Sequence, residues 1–154
     1  MKTLLKTGIL TFFTFGLLVY SLMAQDKAQF NIDDSKIALN GYSAVSYLDL
    51  NLAQRGDKDY MSEYEEVKYF FVNAEQKKKF DTNPGKYLPQ FGGYCATGVA
   101  INAKFRTDPN KFLVRNGKLY LFLNSIEVDA LQVWLADEKS LTKKAYENWP
   151  KLSQ

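Results

Sequence analysis

Few side chains in this sequence can carry reactive chemistry, and Cys95 is the only thiol among its 154 residues. Histidine is absent altogether. Nucleophilic sites of the Ser-His-Asp or Cys-His kind, and zinc sites built on histidine, are therefore excluded for this chain. A thiolate at Cys95 would need a lysine, an arginine or a helix N-terminus to activate it.

Cys95 follows Gly92, Gly93 and Tyr94 in a glycine-rich segment that admits two interpretations. An accessible thiol there would bind a soft metal ion, undergo oxidation or react with a partner, because glycine lets other groups approach the backbone closely. A buried Cys95 would instead act as a small apolar core residue. The lone cysteine also permits a homodimer bridged through a disulfide in an oxidising compartment.

Aromatic residues form the second group of candidates, and they also have two interpretations. They would either line a pocket for an organic ligand or fill the core of the domain. In a pocket, tyrosine hydroxyl groups would converge with the Tyr94-Cys95 loop. The aromatic set is Tyr42, Tyr47, Tyr69, Phe70 and Phe71. The residues expected to bind a ligand are Cys95, Tyr94, Tyr42, Tyr47 and Gly93.

The charge balance argues against a nucleic-acid partner. The chain has 20 basic and 17 acidic residues, a net charge of +3. Lys2 and Lys6 are the only charged residues before residue 25, so the rest carries 18 minus 17, or +1. A nearly neutral domain lacks the basic surface that nucleic acids require.

Residues 1–24 have the pattern of a secretion signal: two lysines, an uncharged apolar run from Gly8 to Met23, and Ala24 before a polar segment. We expect cleavage there and export to the periplasm or the medium. The alternative is an uncleaved segment that anchors the chain to a membrane. Residues 25–35 are expected to form a flexible leader, and residues 36–154 a single domain.

The pattern along that domain predicts an α+β fold, a small antiparallel sheet with hairpins packed against several short helices. Inspection of the sequence indicates no internal repeat. The expected elements are a strand over Lys36–Asn40, a polar loop over residues 51–59, a hairpin turning at Glu65-Glu66, a helix capped by Asn73 with Gln76, a turn of helix from Pro84, a turn at Asp108-Pro109, a hairpin turning at Asn116-Gly117, a helix opened by Asn124 and Glu127, and a helix over Ser140–Asn148 that ends before Pro150.

Several motifs in order resemble the YHS-domain family, and more narrowly its stand-alone, exported bacterial members. The resemblance covers nearly all of residues 36–154. The motifs that carry it are Gly41–Tyr47, Tyr69–Phe71, Phe80 with Asn83–Leu88, Gly92–Ala96, Gly117–Leu121 and Asn148–Leu152.

The resemblance implies a compact α+β binding domain, and its metal-handling members carry three cysteines as ligands. Those positions correspond to Ser46, Val72 and Gln76 in this sequence, none of which supplies a thiolate. The expected function is a non-enzymatic binding module for a metal ion held by residues other than these three, or for a small organic ligand. The cofactor is unassigned, with a soft metal ion as the candidate. The alternatives are a redox or catalytic protein acting through Cys95, and an interaction protein or homodimer.

Overall fold

A computed structural model describes residues 29–154, and the predicted signal segment lies outside them. The fold is α+β, as predicted, with two separate two-stranded antiparallel sheets. The elements in chain order are a 3-10 segment Ala38–Gly41, a π-helical segment Ser46–Leu50, β1 Asp57–Tyr64, β2 Val67–Phe71, α1 Ala74–Thr82, α2 Pro84–Tyr87, a 3-10 segment Gln90–Gly93, α3 Ala96–Ala100, β3 Asp108–Arg115, β4 Lys118–Phe122, α4 Ala130–Ala136 and α5 Glu138–Leu152.

The two hairpins are built alike. Each has a first strand of eight residues, a two-residue turn and a second strand of five, and each shifts register near its start. Tyr64 pairs with Val67 beside the first turn, and Arg115 pairs with Lys118 beside the second. Both turns are in the left-handed region that suits the twist of hairpins.

The segments before the hairpins are also alike. In each 3-10 segment the two central residues are left-handed and the final glycine has φ +83°, and a tyrosine in extended conformation follows. A short helical stretch then starts at Ala44 in one half and Ala96 in the other. Each stretch is followed by a left-handed asparagine, Asn51 or Asn102. The predicted absence of an internal repeat is therefore wrong.

Few residues are identical between the two halves, which explains why inspection of the sequence misses the repeat. Backbone conformation is kept while most packing residues differ between the halves. The nine identical pairs at equivalent positions are Gly41/Gly93, Tyr42/Tyr94, Ala44/Ala96, Asn51/Asn102, Arg55/Arg106, Asp57/Asp108, Tyr69/Tyr120, Phe71/Phe122 and Asn73/Asn124.

One large aromatic residue on the following helix covers each hairpin. Phe80 on α1 packs with ring centroids 4.8 Å from Tyr69 and 5.0 Å from Phe71. Trp134 on α4 lies 5.6 Å from Tyr120 and 5.7 Å from Phe122. Each half therefore has its own aromatic core.

Strand β4 joins the two cores because both of its faces are buried. Leu119 and Leu121 belong to the core of the first half, and Tyr120 and Phe122 to that of the second. Side chains alternate across a strand, so one strand contributes to both clusters. The two halves therefore share β4 as a common wall.

Three predicted elements differ from the structure. Lys36–Asn40 is not a strand: Ile37 makes a single bridge to Lys68, and left-handed Leu39 turns into the core. The predicted polar loop is shorter, since β1 begins at Asp57. Asp108-Pro109 opens β3 and is not a separate turn.

The last two helices also differ from prediction. Helix α4 begins at Ala130, capped by Asp129, whose carboxylate accepts from the N–H groups of Leu131 and Gln132. Asn124 instead donates to Asp108 at 3.2 Å. Helix α5 continues through Pro150, which lies in the exposed last turn, where water can replace the missing N–H.

Candidate ligand-binding cleft

The predicted helix start at Asn73 is confirmed and positions a buried polar cluster. Asn73 Oδ1 accepts from the Gln76 N–H at 2.9 Å. This cap aims the Gln76 side chain inward, where its Oε1 accepts from Ser43 Oγ at 2.7 Å and from the Val72 N–H at 3.3 Å. Gln76 Nε2 donates to Ser46 Oγ at 2.9 Å.

Ser46 therefore lies beside Gln76, 30 residues later in the sequence, and Val72 is four residues before Gln76. These are the three positions at which the resemblance places metal-binding cysteines. Here neutral groups at these positions hydrogen-bond to one another, so the buried polar atoms are satisfied. Residues 29–154 contain no group of three or more His, Cys, Asp or Glu side chains arranged to hold a metal ion.

Cys95 is buried, with 1% of its surface exposed. Its N–H donates to the Phe105 carbonyl at 3.1 Å, and its side chain belongs to the apolar core of the second half. Burial favours the core role for Cys95 over the reactive one, because reactive thiols sit in accessible, electropositive surroundings.

The other four expected binding residues are divided between the two halves of the described fold. Tyr47 is buried and donates its hydroxyl to the Pro109 carbonyl at 2.7 Å, and burial, followed by the nearby Tyr42 and Asp108, raises its pKa. Tyr42 is half-buried, and its backbone forms an isolated antiparallel β-bridge with that of Arg55. These two tyrosines lie in the first half, while Tyr94 and Gly93 lie in the second.

Tyr94 and Gly93 hold the segment that precedes the domain. Tyr94 donates its hydroxyl to the Phe30 carbonyl at 3.0 Å. Asn31 donates its backbone N–H to Gly92 and its Nδ2 to Gly93, at 2.8 and 2.9 Å. A Cβ at Gly92 would lie 1.8 Å from the Gln29 carbonyl oxygen, so only glycine fits there. Residues 29–32 of the expected leader are thus packed on the domain.

This packed segment forms one wall of a cleft of about 210 Å³. The opposite walls come from the Leu88–Gly92 segment, the first hairpin and helix α5. Five aromatic rings contribute to the lining, and Glu65 is its only residue with an ionised side chain at neutral pH. The lining residues are Gln29, Phe30, Glu65, Tyr69, Leu88, Pro89, Gln90, Phe91, Gly92, Tyr146 and Trp149.

Tyr69 is the unusual member of this lining. It is 98% buried, being 2% exposed, yet its hydroxyl has no hydrogen-bond partner within residues 29–154. Burial, followed by the charges of Glu65 and Tyr64, raises the pKa of Tyr69, so the phenol stays protonated as a donor. A hydroxyl without a protein partner on a residue that lines a cleft is a group to which a ligand can hydrogen-bond.

Tyr146 contrasts with Tyr69 because its hydroxyl is fully engaged. It donates to Gln90 Oε1 at 2.6 Å and contacts the Tyr120 hydroxyl and the Lys118 ammonium, each at 3.1 Å. These bonds tie α5 to the second hairpin and to the Gln90–Gly93 segment. Tyr69 and Glu65, by contrast, line the cleft without such bonds.

Sequence reasoning placed Tyr69 in an aromatic set but did not find the cleft. Its partners Tyr146 and Trp149 come from the far end of the chain, and no local pattern links them to the first hairpin.

No family model, curated protein or solved structure matches the chain. Within residues 29–154 no helix is long and apolar enough to cross a membrane.

Proposed function

We propose that this protein is an exported, non-enzymatic binding module that holds a small organic ligand in the aromatic cleft. The observation that carries this proposal is the Tyr69 hydroxyl, which is protonated and makes no hydrogen bond within residues 29–154, on a residue that lines the cleft. Small-molecule sites combine apolar walls with a few placed polar groups, which is the composition of this cleft. Its volume suits a compact molecule.

The proposal includes kinship with the YHS-domain family. The three positions aligned with the family's metal ligands meet at one point in the fold, which supports that alignment. Of the two ligand classes expected from the sequence, the organic ligand is favoured over the metal ion. The Val72 N–H and the Ser46 hydroxyl both hydrogen-bond to the Gln76 side chain, so this cluster offers no thiolate or free ligand to a metal. The secretion signal predicted from residues 1–24 supports a role outside the cytoplasm.

Neutral aromatic fragments, screened by ligand-observed NMR against the purified protein, test the proposal. We expect fragments with a hydrogen-bond acceptor to bind, and Tyr69→Phe to weaken them by about threefold to tenfold, the worth of one hydrogen bond. Tyr60→Phe is the matched control, since Tyr60 lies on the first strand of the same hairpin and does not line the cleft.

Two results would overturn the proposal. One is the absence of any bound fragment from a library that covers neutral and charged compounds. The other is binding that Tyr69→Phe and Tyr60→Phe affect equally, because this would place the ligand elsewhere.

A further inference from the structure

The turn of the first hairpin holds two glutamates in a backbone conformation that glutamate disfavours. Glu65 and Glu66 have φ values of +51° and +60°. The equivalent turn of the second hairpin has Asn116 and Gly117, the residues that accept this conformation most readily. Side chains other than glycine and asparagine are strained in the left-handed region, and such strain concentrates at functional sites.

The two glutamates have different surroundings. Glu66 forms an ion pair with Lys36 at 3.2 Å, which gives it a structural role. Glu65 lines the cleft and has no basic partner within residues 29–154. Its charge reaches Tyr69, since it contributes to the raised pKa of that hydroxyl. Glu65 is thus an exposed acidic residue without a basic partner, in a cleft lining that includes five aromatic rings.

We propose that the cleft selects a small organic cation, an ammonium carrying a compact apolar group, with Glu65 as the counter-ion. This inference rests on the proposed function and names its ligand class. Aromatic faces attract ammonium groups, and tyrosine and tryptophan walls favour them most. The Lys118 ammonium lies 4.9 Å from the centre of the Tyr146 ring, so this ring already has one cation beside it.

The Tyr69 hydroxyl completes the recognition. It would donate to an oxygen of the ligand while Glu65 and the rings hold the ammonium end. A neutral molecule of the same shape would satisfy Tyr69 but leave Glu65 without a partner. The cleft therefore distinguishes the two molecules by charge alone.

Choline and 3,3-dimethylbutan-1-ol are the probes, because they have nearly the same shape and differ in charge. NMR titration at low ionic strength should show choline binding at least about tenfold more tightly than the neutral alcohol, as expected for a charge-assisted contact. Glu65→Gln should remove this preference. Glu66→Gln, in the same turn but outside the cleft lining, should retain it.

Equal binding of the two probes, or a preference that survives Glu65→Gln, overturns the cation assignment. Failure of both probes also overturns it. If neutral aromatic fragments still bind with dependence on Tyr69, the proposed function stands without its cationic class. If nothing binds, both proposals fall.

Discussion

Ser43 and Cys95 occupy equivalent positions in the two halves of the chain. The Ser43 N–H donates to the Gln54 carbonyl at 2.8 Å, and the Cys95 N–H donates to the Phe105 carbonyl at 3.1 Å. Each residue follows the tyrosine after a left-handed glycine and precedes an alanine that starts a helical stretch. The backbone at this position is thus the same, while the side chain enters a polar cluster in one half and an apolar core in the other.

We predict that Cys95 does not react with Ellman's reagent in the native protein and reacts once denaturant unfolds it, because the thiol is buried. Rapid labelling of the folded protein would contradict this placement and revive the thiol-dependent alternative.

A related prediction concerns the cost of replacing Cys95. Cys95→Ser should destabilise the protein by about 1–3 kcal/mol, since its hydroxyl would lack a partner in an apolar core. Cys95→Ala adds no polar group and should cost less. Urea denaturation of both variants measures the difference, and a more stable serine variant would disagree with the apolar environment.

The hairpin turns offer a stability test that does not depend on any ligand. Replacing Glu65-Glu66 with Asn-Gly should raise the free energy of unfolding by about 1–2 kcal/mol, because the strain of left-handed glutamates is removed. The reverse exchange, Asn116-Gly117 to Glu-Glu, should lower it. Thermal or urea unfolding is the measurement, and an unchanged stability in both variants would mean that the turns are not strained.

The proposed kinship with the YHS family has its own test. The triple variant with cysteine at Ser46, Val72 and Gln76 should bind one soft metal ion per chain, because these positions converge. Elemental analysis after dialysis measures the metal content, with the variant that retains Gln76 as control. Equal metal content in the two variants would count against the alignment.

Asp129 gives the α4 cap a dependence on pH. The hydrogen bond from Lys111 at 2.6 Å, with bonds from the N–H groups of Gln132 and Leu131, holds the pKa of Asp129 below its ordinary value. The ionised cap therefore stabilises the fold above the unfolded pKa of about 3.9. This stabilisation is lost as the pH falls through the lower, folded pKa.

Asp129→Asn keeps an oxygen that can cap the helix but does not titrate. We expect its stability to change less between pH 5 and pH 2 than that of the wild type, as measured by urea denaturation across that range. Identical pH profiles for the two proteins would contradict the role assigned to Asp129.

The local signals in the sequence predicted local structure well. The Asn116-Gly117 turn, the Asn73 cap and the hairpin at Glu65-Glu66 each depend on a few neighbouring residues, and each is confirmed. The helix start at Asn124 was wrong because the better acceptor, Asp129, lies five residues later. Competing caps of similar quality cannot be ranked without the tertiary contacts, such as that between Asn124 and Asp108.

The cleft and the repeat lay beyond sequence reasoning for different reasons. Tyr69 meets Trp149 in the cleft only through packing of distant segments, which no spacing rule encodes. The repeat is carried by backbone conformations that several residue types can adopt, so Leu39 and Phe91 share a left-handed geometry without sharing a sequence motif.

The two tryptophans provide the most direct test of the ligand-binding cleft. Trp149 lines the cleft, whereas Trp134 is buried in the core of the second half. In a ¹⁵N-labelled protein titrated with the aromatic fragments and with choline, the indole signal of Trp149 should shift saturably while that of Trp134 stays in place. No shift at Trp149, or equal shifts at both residues, would contradict a ligand site in this cleft.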